Sequence, residues 1–397
     1  MKNLFFKLEN TIQNYSWGSR DAIKELFGIE NPDNSPQAEI WMGAHPNGCS
    51  RKAETHELLS DVINQNKVQS LGNYTKERFG ELPFLFKVLA AEMPLSIQVH
   101  PSKSKAEMGF ARENEQGIPL NAANRNYKDP NHKPELVYAL TFYKAMNGFR
   151  PIEQILTLFE HANITTLRAE ISALRASPNS DGLKGFFSAI MSLEGERKQQ
   201  ALEELYTSLE RPAKTAMARE AYGYIKDFRQ YYADDIGLFS PLMLNTIELE
   251  PGEAMFLHAE TPHAYVQGTG LEIMANSDNV LRAGLTTKYI DVPELIENTT
   301  FIPIDPAHIK LDPIHKNGKL SYPIPVDDFG FEVVPVANQN IIQFVRSPEI
   351  LFCIEGKVTI SNQQDQINLK AGESVFVSSH SVKYLCEGNG TLARAFN

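Results

Sequence analysis

Ile247-Glu248-Leu249-Glu250-Pro251-Gly252-Glu253-Ala254-Met255-Phe256-Leu257 and Ile367-Asn368-Leu369-Lys370-Ala371-Gly372-Glu373-Ser374-Val375-Phe376-Val377 follow one pattern. Each reads as a strand, a glycine-containing turn and a second strand. Gly252 and Gly372 fall at the turn, where glycine supplies a positive φ without a steric penalty. A strand–turn–strand unit that recurs in this way suits double-sheet jelly rolls, and we read two barrel-like units of common design. At the same offset, His263 in the first copy corresponds to Lys383 in the second. If the copies are related, only the first has kept a metal ligand.

Working outward, Ile40 to Val99 consists of short apolar runs broken by turn formers such as His45-Pro46-Asn47-Gly48, and Phe84 to Leu89 and Leu95 to Val99 read as strands. Between Pro151 and Ile236 the texture changes. Ile152 to Phe159 and Leu202 to Leu209 carry the three-to-four spacing of amphipathic helices, with Gly and Pro sparse. After Leu242 the strand-and-turn texture returns. The expected fold is therefore mainly β with an α-helical insertion. Residues 1–150 and 237–303 form a discontinuous first unit, 151–236 the helical insertion, and 304–397 the C-terminal unit.

A chain of 397 residues exceeds the roughly 100–200 residues of one domain, in keeping with that division. Met1 to Lys7 holds too short an apolar run for a signal peptide, and no segment approaches the ~18 apolar residues of a membrane helix. A cytoplasmic protein is expected. It should act as a monomer, with self-association left open. Cys49, Cys353 and Cys386 are odd in number and far apart, which predicts three reduced thiols and no disulfide framework. The net charge of −11 argues against nucleic acid or an anionic membrane as partner. Any anionic substrate must be attracted by a few local Lys and Arg residues.

Three segments carry candidate metal donors. In Pro94-Leu95-Ser96-Ile97-Gln98-Val99-His100-Pro101 the apolar and polar residues alternate, so a strand puts Ser96, Gln98 and His100 on one face. An ordinary solvent-facing strand would show the same alternation. In His132-Lys133-Pro134-Glu135-Leu136-Val137, proline suits the start of a strand, with Lys133, Glu135 and Val137 sharing a face. An exposed Lys–Glu pair is the plainer reading there. In Thr261-Pro262-His263-Ala264-Tyr265, His263 and Tyr265 share a face, and Glu272 falls on an expected return strand beyond Gly268 and Gly270. Together the segments offer two imidazoles, a carboxylate and an amide oxygen, a donor set that suits zinc. Glutamine is an uncommon ligand, and periodicity alone would not single out Gln98. A fourth segment, Ser277 to Tyr289, holds Arg282 and Lys288, which bring positive charge to an acidic protein or are merely solvated.

These segments, with Gln13-Asn14-Tyr15-Ser16-Trp17-Gly18, Ala38 to Pro46 and Phe84 to Leu89, resemble the type I mannose-6-phosphate isomerases. They run in the family's order over most of the chain. The resemblance implies two cupin-type jelly-roll barrels plus a helical domain, and one zinc ion held by Gln98, His100, Glu135 and His263. It implies interconversion of D-mannose 6-phosphate and D-fructose 6-phosphate. By the same carry-over Arg282 is the catalytic arginine, Lys133, Tyr265 and Glu272 line the site, and Ser96, Lys87 and Lys288 are candidates for contacting the sugar or its phosphate. One departure is Thr287, where proline is expected. It bears on the rigidity of the loop presenting Lys288.

Moving a carbonyl between C1 and C2 requires a proton carrier and stabilisation of charge on both oxygens through an enediol. Glu272 is the favoured base and Lys133 the alternative. Two rival readings exist. Two His and a carboxylate also fit a ferrous cupin dioxygenase, although Gln98 and the Arg282–Lys288 pair do not favour it. A non-catalytic sugar-binding cupin would be expected to show a degenerate donor set, as Lys383 suggests for the second unit only.

Overall fold

The computed structural model describes residues 4–337 and 340–397. Strands pair antiparallel in two large sheets. The first sheet orders Ala254–Leu257, Glu135–Ala139, His263–Ala275, Phe84–Ala91, Glu39–Met42 and Thr11–Gln13, with Gln98–Val99, Leu281–Arg282, Tyr143–Phe149 and Leu244–Leu249 attached through His263–Ala275. The second contains Gly330–Ala337, Lys383–Phe396, Glu349–Ser361 and Ser374–Val377. Phe5–Glu9 pairs with Ser374–Val377 in the second sheet, a departure from the expected 1–150 grouping. Both of its faces are apolar at Phe5 and Phe6, so it can seal one core with each side. The repeat reappears in the elements: Gly252 (φ +96°) and Gly372 (φ +83°) turn the chain into Ala254–Leu257 and Ser374–Val377.

Three local expectations change. Glu272 lies on no return strand; His263–Ala275 is one continuous strand of 13 residues. Its first part pairs with Tyr143–Phe149 and its second with Phe84–Ala91 and Glu135–Ala139. Gly268, at φ +118° just beyond a bulge between Tyr265 and Gln267, bends it without a turn, and a Cβ there would lie 2.5 Å from the Phe142 carbonyl oxygen. The expected Leu95–Val99 strand shortens to Gln98–Val99. Leu95 N and Ile97 N still donate to Tyr265 O and Gly284 O, which keeps the segment tied to its neighbours. Leu59–Gln65 and Lys67–Arg78 are helices in a stretch read as strands and turns.

From Ile152 to Met243 the elements are helical, and Ile155, Leu158, Phe159, Leu202 and Leu205 face one core. That core also takes in Ile97, Val99, Ala264 and Leu281 from the first sheet. Among the described residues no helix is long and apolar enough to cross a membrane. Cys49, Cys353 and Cys386 are all free thiols.

Candidate active site

Two short strands and the start of a long one set the first row of functional groups. His263 pairs with Gln98, and Gln98 pairs on its other side with Arg282. Their neighbours Ile97, Val99, Ala264 and Leu281 point into the helical core. The apolar half of the Leu95–His100 alternation is thus buried against helices, and the polar half faces the interior of the sheet structure. Ser96 and Gln98 line a cavity of about 60 Å³ together with Glu39, Lys87, Lys133, Glu135, His263, Tyr265 and Glu272.

Glu135 begins its strand directly after Pro134 and stands between two imidazoles. His100 Nε2 is 3.5 Å from one carboxylate oxygen and His263 Nε2 is 3.4 Å from the other. Each Nδ1 points at a main-chain carbonyl, 2.7 Å from Asn279 O and 2.9 Å from Thr261 O. A ring nitrogen facing a carbonyl donates a proton to it, which fixes each ring with its Nε2 turned toward Glu135. Burial, with Lys133 adding to it, pushes His100 down to about 3, so its ring is neutral. Burial alone would raise Glu135, but Lys133 and the imidazoles outweigh it and hold the carboxyl well below its usual range. Donor atoms of His100, Glu135 and His263 all lie within 4.8 Å of one another, and this is the one such group among the described residues. Two imidazoles and a carboxylate converging in a buried space fit a divalent cation such as zinc. Lys133 Nζ already brings positive charge there, contacting Glu135 Oε1 and lying 3.4 Å from His100 Nε2. Tyr265 donates its hydroxyl to Glu135 Oε2 at 3.1 Å.

The second sheet offers a contrast. Glu349 lies across from Val377 as Glu135 lies across from Leu257. Its carboxylate is closed by the Arg394 guanidinium at 2.6 and 2.8 Å and by the Tyr384 hydroxyl at 2.8 Å. There a permanent side-chain cation balances the carboxylate. Lys383 itself is exposed.

A second row crosses the first sheet at Trp41, Lys87 and Glu272, paired in register. Lys87 Nζ is 2.8 Å from Glu272 Oε2 and 3.7 Å from Glu39 Oε1. It also lies 5.2 Å from the centre of the Trp41 ring, whose Nε1 donates to Glu39 at 2.7 Å. Burial would lower Lys87, but the two carboxylates outweigh it and hold the ammonium charged above the usual lysine range. Burial, reinforced by Glu272, raises Glu39 despite Lys87. Sequence reading missed Glu39 and Trp41. The available signal was a lone carboxylate in the apolar run Ala38–Met42.

Lys87 therefore sits inside, engaged by carboxylates. Lys288 is exposed at the surface, and partial desolvation of its stem, with Arg282 and Lys128 nearby, lowers its pKa. Arg282, lowered by burial, is half-buried. Lys128 is a further basic residue that sequence reading missed. Its backbone N–H donates to the Asn279 side chain, and the Asn279 carbonyl holds His100. That asparagine ties the basic edge of the site to its donor group.

Family profiles match three parts of the chain: the phosphomannose isomerase type I catalytic domain over residues 5–152, its helical insertion domain over 160–244, and the mannose-6-phosphate isomerase cupin domain over 318–397. A Salmonella typhimurium protein named mannose-6-phosphate isomerase is 48% identical over 395 residues, covering 98% of this chain and 99% of that one. A human protein of the same name is 34% identical over 94% of this chain and 93% of its own. Among solved structures, a mannose 6-phosphate isomerase bound with zinc and yttrium superposes with a TM-score of 0.93 at 47% identity, with both chains fully covered. A zinc-bound holo form gives 0.93 at 48% identity, again over 100% of each chain. The chain is an enzyme of mostly β architecture with a helical region, and it belongs to the type I phosphomannose isomerase family.

Proposed function

We propose that this enzyme interconverts D-mannose 6-phosphate and D-fructose 6-phosphate through an enediol, with one zinc ion held by Gln98, His100, Glu135 and His263. The observation that carries the reading is the shared cavity: the His100–Glu135–His263 group and the Lys87–Glu272 pair meet around one small space. When bound, zinc would act as a Lewis acid on the oxygens at C1 and C2. Glu272 takes the C2 proton and delivers it to C1. Lys87 balances the carboxylate charge, and Glu39 and Trp41 hold Lys87 in place. Arg282, in register with Gln98, stabilises charge on the reacting oxygens without giving up its own proton. Lys133 and Tyr265 orient Glu135. Ser96, on the cavity wall, offers a hydroxyl to the sugar.

A cavity of about 60 Å³ is too small to enclose a whole sugar phosphate, so most of the substrate lies toward the open side. There Lys288 and Lys128 receive the phosphate. Residues 1–150 and 237–303 act as the catalytic cupin unit, 151–236 as the helical insertion, and 304–397 as a cupin-like unit without metal, with Phe5–Glu9 lent to the last. The reading is tested by following fructose 6-phosphate formation from mannose 6-phosphate while recording oxygen uptake. Product without oxygen uptake supports it; oxygen uptake without isomerisation would favour the ferrous dioxygenase.

A further inference from the structure

The segment from Leu281 to Lys288 has an unusual backbone. Gly284 (φ +129°) and Leu285 (φ +52°) both lie at positive φ, and for a bulky leucine that conformation persists only if its surroundings enforce it. Asp235, at the end of the helical stretch, supplies the enforcement. Its Oδ1 accepts the N–H of Leu285 at 2.7 Å and of Gly237 at 2.6 Å, and its Oδ2 accepts the N–H of Thr286 at 3.0 Å. The backbones meet closely at this point: a Cβ on Gly237 would lie 2.7 Å from Leu285 N, and one on Gly284 would lie 2.6 Å from Gly237 Cα. On the other side the loop is fixed by Ile97, which donates to Gly284 O at 3.0 Å and accepts from Ala283 N at 2.9 Å. Ile97 adjoins Gln98, so the clamp reaches the donor row directly. The clamped residues lie between Arg282 and Lys288. Thr287 does not supply the stiffness a proline would, and the carboxylate does so in its place.

We propose that Asp235 is a positioning residue for phosphate binding: it fixes the Leu285–Thr286 backbone and thereby holds Lys288 at the geometry that receives the substrate's phosphate. Three charge-assisted hydrogen bonds to one carboxylate lock a conformation that leucine would otherwise leave. The helical region thus contributes to substrate recognition through a residue that does not touch the substrate. This inference rests on the assignment of Lys288 to the phosphate.

The test uses the full-length, zinc-loaded protein and compares Asp235→Ala, Asp235→Asn, Lys288→Ala and the Asp235→Ala/Lys288→Ala pair. The readouts are KM and kcat for mannose 6-phosphate, competitive inhibition by inorganic phosphate, and bound zinc. Asp235→Ala should raise KM and weaken phosphate inhibition by about tenfold, with kcat and zinc content nearly unchanged. Asp235→Asn keeps an acceptor for Leu285 but turns an N–H₂ toward Thr286. It should shift both constants in the same direction by less, and it keeps the test open if the alanine variant does not fold. The double variant should add little to Lys288→Ala, because both changes remove one function. Lys288→Ala weakening phosphate inhibition while neither Asp235 variant does so would overturn the role of Asp235. Lys288→Ala leaving inhibition unchanged would remove the phosphate assignment, and this inference with it. Loss of zinc or an equal fall in kcat in the Asp235 variants would reduce the residue to a general structural role and also overturn the proposal.

Discussion

Lys87 Nζ stands 2.8 Å from Glu272 Oε2, with the two side chains only 7% and 3% exposed. The contact is an ion pair between two buried side chains, and Glu39 flanks the same ammonium at 3.7 Å. A buried carboxylate with an ammonium beside it, on the wall of the same cavity as the donor group, is placed to take a proton from carbon.

Lys87→Met should therefore harm both stability and turnover. It leaves Glu272 and Glu39 buried together without their shared cation, which costs about 3–5 kcal/mol. Chemical denaturation would detect the loss, and the steady-state rate should fall alongside it. A variant as stable and as active as the parent would show that the pair has no role.

Glu272→Gln is the sharper test of chemistry. The amide keeps the size of the side chain but cannot accept the proton, so turnover should fall by about 10²–10⁴-fold while bound zinc stays at the parent level. A fall in zinc content matching the fall in rate would make Glu272 a structural support of the metal site.

The thiols give a pH prediction. Burial pushes both Cys353 and Cys386 up to about 12 from the ordinary 9.0. The folded chain therefore retains protons that the unfolded chain releases above 9.0. Their contribution to stability is fully present below that pH and declines as pH climbs toward 12. Denaturation at rising alkaline pH should show the decline, and Cys353→Ser/Cys386→Ser should flatten it. In the native state a thiol reagent should reach only Cys49 quickly, the other two reacting after unfolding. Rapid reaction of all three would contradict their burial.

Much of this was legible in the sequence because it is local. The Leu95–His100 alternation put Gln98 and His100 on one face, and Pro134 marked the entrance of the strand that Glu135 begins. The two glycine turns announced the repeated strand pairs. Pairing between distant strands left no local mark. That Gln98 lies between His263 and Arg282, or Lys87 between Trp41 and Glu272, depends on register across segments far apart in the chain. For the same reason Glu39 and Asp235 went unnoticed, since each gains its meaning from partners in other segments. The expected return strand for Glu272 failed because Gly268 bends a strand here instead of ending it. The Leu59–Gln65 helix was hidden in a stretch of mixed texture, although Leu59, Val62 and Ile63 carry helical spacing.

On the proposed function, the His100–Glu135–His263 group holds the zinc that isomerisation requires. The most direct measurement is the rate of fructose 6-phosphate formation from mannose 6-phosphate, before and after chelation and again after zinc is restored. Metal content near one per chain, loss of activity in step with metal removal, and recovery with zinc are expected. Full activity in a preparation shown to be free of metal would contradict it.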